Sequence, residues 1–418
     1  MTTLIKSATI IDAKSPYHKQ QKDILISNGV ILQIADSIIT KEAHILVEKE
    51  NLHVSCGWFD TSVSFGEPGF EERETITNGL LVAAKSGFTA VAVNANSYPV
   101  IDNKSAVEFL INKAVNSATK LYPIAALTQG SKGIEMAELF DMQQSGAIAF
   151  GDYKKPIANE NLMKIALLYA QNFNALVLSF PKNNAIAGDG IANEGINSTK
   201  LGLKGNPALA EHLQIAIHLY VLEYTGGKLH IPTISTAKSV DLIKEAKKKG
   251  LHVTCSVAAH HLTLTDDELH NFDGNYKISP PLRTKADSKA LQKGITSGVI
   301  DIITSDHDPI DVENKKVEFS QATDGTIGLE SFFGAINSVL NIDDFIENIT
   351  SKPRTIFGIE NLIIKEGQKA DITFFNPEQS YLFTEKHILS TSKNSAFINK
   401  KLKGKVYGIF ANNQLILN

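Results

Sequence analysis

Cysteine, tryptophan and methionine are all scarce in this 418-residue chain, which carries two, one and four of them. Two cysteines exclude a disulfide-stapled scaffold. Both, Cys56 and Cys255, lie in apolar strand-like runs, where free buried thiols of a reducing compartment are expected. A dominant charge is missing too: 41 basic against 45 acidic side chains leave a net charge of −4. That balance excludes nucleic acid or an anionic membrane as the main partner. The one lysine run, "KEAKKKG" at 244–250, ends a helix-like segment at a glycine, where cations suit the helix dipole and solvent. No apolar run approaches the roughly 20 residues of a membrane span. The opening "MTTLIKSATIIDAKS" has no charged lead before an apolar core, so a cytoplasmic, untargeted chain is expected.

What is present is a regular alternation of strand and helix patterns. Strand-like runs occur at 56–63, 88–96, 121–127, 147–150, 175–180, 228–235, 252–258 and 299–306. Segments such as 103–118 and 208–225 lie between them and repeat apolar residues at i, i+3, i+4 and i+7. Eight such units predict an α/β fold of the (β/α)8 TIM-barrel type over 56–354, with a doubly wound open sheet as the structural alternative. Residues 1–55 and 355–418 read instead as short strands with turn signals, "SNG" near the start and "ANN" near the end. Neither end has enough strands for a sheet of its own, so the two are expected to pair into one small β-sandwich domain.

Active sites of such barrels lie at the C-terminal ends of the strands. Those ends read Asp60-Thr61-Ser62-Val63-Ser64, Asn94-Ala95-Asn96, Leu127-Thr128, Gly151-Asp152-Tyr153, Ser179, Thr233-Ile234-Ser235, Ala259-His260-His261 and Asp306-His307-Asp308. At Ser62 and Ser64 hydroxyls stand where chemistry would use stronger groups. No Ser-His-Asp or Cys-His arrangement has supporting context, and Ser62 and Ser64 have no base beside them in the sequence. The glycine-rich 188–203 follows no strand-to-helix fingerprint, which makes it a surface loop rather than a phosphate cradle.

Several ordered stretches resemble dihydroorotases of the amidohydrolase superfamily. They are "HHLTLTDDELHNFDGNYKISPPLRTKADSKAL" (260–291), "GVIDIITSDHDP" (298–309), "GEPGFEERETI" (66–76), "NSYPVID" (96–102), "STAKSV" (235–240), "IGLE" (327–330) and "KADITFF" (369–375). The resemblance implies pyrimidine biosynthesis, and a zinc-activated hydroxide that opens the ring amide of dihydroorotate to carbamoyl aspartate. It also implies where this chain departs from the family. The two histidines of a "HVHLREPG"-like motif fall on Ser62 and Ser64, and its arginine falls on Gly66. The strand-4 aspartate falls on Asp152 or Tyr153, and the histidines of strands 5 and 6 fall on Ser179 and Thr233. Asp306 matches the strand-8 aspartate, the position of the general base. Asn96 and His307 remain as remnants of the substrate pocket, while the closing histidine and the asparagine of the family's proline-proline motif fall on Ile310 and Ser279.

Zinc takes imidazole, thiolate or carboxylate, and a neutral hydroxyl is a poor donor to it. The reading is therefore a metal-free, catalytically inactive homologue in which Asp306 is idle and no cofactor is held. His260 and His261 are expected to pack rather than ligate. His230, three residues before Thr233, is expected to face the other way. Lys154 and Lys155 are expected to be solvated loop lysines, not a metal-bridging carbamate. Inactive members of the family occur as structural partners of aspartate carbamoyltransferase, so the resemblance implies that partner and a homo-oligomer or larger assembly. The alternatives left open are an active cyclic amidohydrolase that does hold zinc, and a binding protein that uses the vacated pocket.

Overall fold

The computed structural model describes residues 2–40 and 43–418. Eight parallel strands form one continuous ladder, numbered here in chain order: β1 (Trp58–Val63), β2 (Phe88–Val93), β3 (Lys120–Ala125), β4 (Ala149–Phe150), β5 (Val177–Leu178), β6 (Leu229–Ile231), β7 (Val253–Ala258) and β8 (Ile302–Thr304). β8 returns beside β1, where a parallel bridge joins Val63 to His307 and the Ser64 amide donates to the His307 carbonyl at 2.7 Å. Every residue of β1 and β2 is buried, as expected of strands covered on both faces.

Alternation sorts the strand side chains into two layers. Val91, Val93, Val177, Leu229, Ile231 and Cys255 pack outward under the helices. Phe59, Ala92, Ile124, Ala149, Leu178 and Ile302 point inward and close on Phe357. The helix patterns are realised as Lys104–Lys113 and Leu209–Thr225; Asn103 caps the first by accepting from the Ala106 amide.

The two chain ends meet in one small β-domain, whose eight strands are hydrogen-bonded into a single sheet. His53–Cys56 pairs in parallel with Thr2–Ile10 on one side and antiparallel with Ile372–Leu382 on the other. Ile5, Ile24, Ile34, Val54, Phe374 and Phe410 meet in one core, so the sheet wraps around apolar contents of its own. Both predicted turns are present, with Asn28 and Gly29 at φ 49° and 78° and Asn412 and Asn413 at 49° and 56°. Where barrel and sheet meet, Arg354 donates to the Gly57 carbonyl, Thr89 and Asp371. A Cβ on Gly57 would lie 1.8 Å from the Asp371 carboxylate, so only glycine passes there. Both cysteines are free and buried.

The sheet also sends a strap over the barrel mouth. Backbone amides of Leu389 and Ser390 donate to Glu330, that of Thr391 to Glu74, and that of Ser392 to the Arg73 carbonyl. Asn394 accepts from the Ile310 amide and donates to the Asp308 carbonyl, which ties the strap to the loop after β8.

Candidate functional site

Inside the mouth lies a cavity of about 30 Å³, whose polar lining includes Ser62, Asn94, Asp152, Lys154, His230 and Thr233. A water needs roughly 10–15 Å³ of such space, so the cavity has room for about two. Ordinary ligand pockets are about tenfold larger.

One wall is a charge cluster built from the ends of β1, β4 and β8. Asp306 accepts from the Ser62 hydroxyl at 3.1 Å and the Tyr153 hydroxyl at 3.3 Å. Its second oxygen lies 3.2 Å from Lys154 Nζ, which also reaches Asp308 at 3.0 Å. The Lys154 side chain is only 13% exposed, so the expected solvated lysine is instead an interior cation. Its backbone explains the difference. At φ 53° the left-handed turn after β4 throws the side chain back across the mouth instead of outward. Burial opposes the ammonium charge, but Asp306 and Asp308 outweigh it and hold the Lys154 pKa well above the usual lysine value. That direction favours the ammonium over the neutral amine that a carbamate or a proton acceptor requires. Burial, then Asp306 and Asp308, push the Tyr153 phenol well up. Below them Asp60 accepts from the amides of Ser62 and Ser305, and burial raises its pKa to about 7.

The other sequence-selected residues fare differently. Asp152 lines the cavity, but its carboxylate is taken up by the amides of Leu127 and Thr128 and by the Thr128 hydroxyl. Thr233, at φ 51°, faces the cavity together with His230, contrary to the expected opposite orientation. Strand alternation ends at Ile231, and the chain turns before Thr233, so counting offsets fails there. His230 is a neutral wall group: it bonds Thr254 and Ser256, and burial lowers its pKa to about 3. Asn94, not Asn96, lines the cavity and donates to Ser62 at 3.4 Å, while the buried Asn96 Oδ1 has no partner. His307 Nδ1 accepts from the amides of Gly328 and Leu329, which puts its proton on Nε2, and its ring stands edge-on to Phe65. It pins a loop. His260 and His261 are buried and in ring contact, and His261 bonds the Pro280 carbonyl. Gly66 cannot take the family's arginine on this backbone, because its Cβ would lie 1.8 Å from the Phe70 carbonyl. The nearby Arg73 is committed to Asp311 at 3.1 Å.

Ser179 does not reach the cavity at all. Its hydroxyl meets His218 Nδ1 at 2.8 Å, a serine–histidine pair that the sequence left invisible because 39 residues separate the partners. The pair is wired against catalysis. Gln214 Nε2 contacts both His218 Nε2 at 2.8 Å and the Ile157 carbonyl, which fixes the amide as a donor. His218 Nε2 therefore accepts, and its Nδ1–H donates to Ser179, the reverse of what a base must do. Burial also lowers the His218 pKa to about 4.

Zinc does not suit this arrangement. Ser62, Ser64 and Thr233 offer neutral hydroxyls, and Asp152 and Asp306 each already accept from three donors. Lys154 brings a positive charge to the place a metal would need. Among the described residues no three His, Cys, Asp or Glu side chains converge as ligands. No helix of the described residues is long and apolar enough to cross a membrane.

Comparison with known proteins gives a consistent result. Residues 53–239 match the family model described as "Dihydro-orotase-like". The chain is 35% identical over 422 residues to the dihydroorotase of Citrifermentans bemidjiense, covering 100% of this chain and 99% of that one. It is 37% identical over 423 residues to the dihydroorotase of Pelotomaculum thermopropionicum, with the same coverage of 100% and 99%. Among solved structures, an L-hydantoinase (dihydropyrimidinase) from Arthrobacter aurescens superposes with a TM-score of 0.87 at 17% identity, covering 100% of this chain and 96% of that one. A D-hydantoinase superposes with a TM-score of 0.83 at 19% identity, covering 100% and 95%. At such identities these two likenesses concern the fold.

Proposed function

The chain belongs to the dihydroorotase family, and from that premise we propose that it keeps the family's barrel as a scaffold while the chemistry is silent. The observation that carries this reading is the filled mouth: Lys154, Asp306 and Tyr153 occupy it and leave about 30 Å³. Opening a ring amide needs a water deprotonated near neutral pH, and bulk water has a pKa near 15.7. Asp306 is held by Ser62, Tyr153 and Lys154, and the two carboxylates favour the ammonium form of Lys154, so both groups are engaged with each other rather than placed to act as base. The substrate carboxylate would find Gly66 where a bidentate clamp is required.

The role that remains is structural, in the cytoplasm, within pyrimidine biosynthesis, with aspartate carbamoyltransferase as the partner. The deciding experiment is elemental analysis of the purified protein beside a dihydroorotate assay, followed by mixing with the transferase. No stoichiometric zinc, no turnover, and co-elution or altered transferase activity are expected. Full-length likeness to proteins named dihydroorotase supports the competing reading of an active hydrolase. Bound zinc with ring opening would establish that reading and overturn ours.

A further inference from the structure

The barrel mouth holds a buried cation supplied by the chain itself, the Lys154 ammonium. β4 and β8 lie on opposite sides of an eight-stranded ladder. Lys154, just past β4, reaches Asp306 and Asp308, just past β8, at 3.2 and 3.0 Å. Both Lys154 and Asp306 hold left-handed backbones, at φ 53° and 48°, conformations that residues with a Cβ keep only when their surroundings impose them. The ammonium also lies 4.9 Å from the centre of the Tyr153 ring, whose face favours a cation. A second buried lysine gives the contrast: Lys315 Nζ is held by the carbonyls of Lys277, Thr323 and Gly325, with no carboxylate in contact. A lysine needed only for filling or capping takes that form. Lys154 instead sits between two carboxylates, as a bridging cation does.

We propose that the Lys154 ammonium is a tethered replacement for the divalent cation, neutralising Asp306 and Asp308 and tying the β4 and β8 ends together across the mouth. This deepens the metal-free reading of the site and is independent of any partner. It follows that deleting the charge creates an empty oxygen-only cation site, which suits calcium better than zinc.

The test is the thermal stability of Lys154→Met in the full chain, with and without millimolar calcium chloride. Removing one member of a buried ion pair should lower Tm by about 5 °C. Calcium should then raise the variant's Tm by about 2 °C or more and leave the wild type unmoved. The triple variant Lys154→Met, Asp306→Asn, Asp308→Asn should regain most of the loss and lose the calcium response. If the single variant does not fold, a soluble triple variant indifferent to calcium supports the inference equally. A single variant as stable as wild type and blind to calcium, or a triple variant no better than the single one, would overturn the inference and leave the catalytic silence standing. Stoichiometric divalent metal in the wild type would sink both.

Discussion

Acid should unfold this protein unusually readily, because five imidazoles are buried in neutral form. Burial lowers the pKa of His218 to about 4, of His230, His260 and His307 to about 3, and of His261 well below the usual value. A group whose folded pKa is depressed gives stability that is complete above the unfolded value, near 6.5, and is lost as pH falls through the folded one. From pH 7 to 5, each of the four with stated values forfeits about 2 kcal/mol, or about 8 kcal/mol together. Asp60 works in the opposite direction. Its folded pKa is raised to about 7, so its contribution is complete below about 3.8 and fades as pH rises through 7. Acidification therefore returns about 2 kcal/mol from Asp60 and leaves a net loss of about 5–6 kcal/mol, comparable with the whole stability of a marginal protein. In proton terms, unfolding between pH 5 and 6 should take up about three protons, four for the imidazoles less one for Asp60, with His261 adding to the uptake and the burial-raised carboxyls of Asp152, Asp301 and Glu330 subtracting from it. Trp58 is the single tryptophan and is fully buried against Phe88, Phe333 and Phe375, so its fluorescence in urea titrations reports the barrel. A urea midpoint equal at pH 5 and pH 7, or an uptake below one proton, would refute the reasoning.

Replacing Ser62 and Ser64 together by histidine should not restore metal binding, because Thr233 adds no ligand, Ser179 faces away and Lys154 repels the ion; elemental analysis after zinc loading should find it substoichiometric. Ser179→Ala should cost about 1–2 kcal/mol in urea unfolding, by stranding the His218 Nδ1–H, and should leave any background hydrolysis of an activated ester unchanged.

Much of the barrel was legible because burial on both faces imprints itself on composition. Each of the eight apolar runs contains one observed strand, apart from Lys120 one residue ahead of its run, and "SNG" and "ANN" both form their turns. The hydroxyls at Ser62, Ser64 and Thr233 were likewise readable as poor metal donors, since donor chemistry belongs to a residue type wherever it points. Direction was not readable. Ser179 turns outward to His218, Thr233 joins His230 on the cavity, and Asn94 takes the place expected for Asn96. Alternation predicts orientation only while a strand is held in its ladder, and these side chains lie at or beyond its last hydrogen bonds.

Sequence by itself determined the strand–helix architecture and the hydroxyls at Ser62, Ser64, Ser179 and Thr233, because both follow from residue identity and period. Only the tertiary structure decided where Lys154 points. A lysine after β4 looks solvated until a left-handed turn aims it at carboxylates about 150 positions away, and its charge is tolerable in the interior only because they are there.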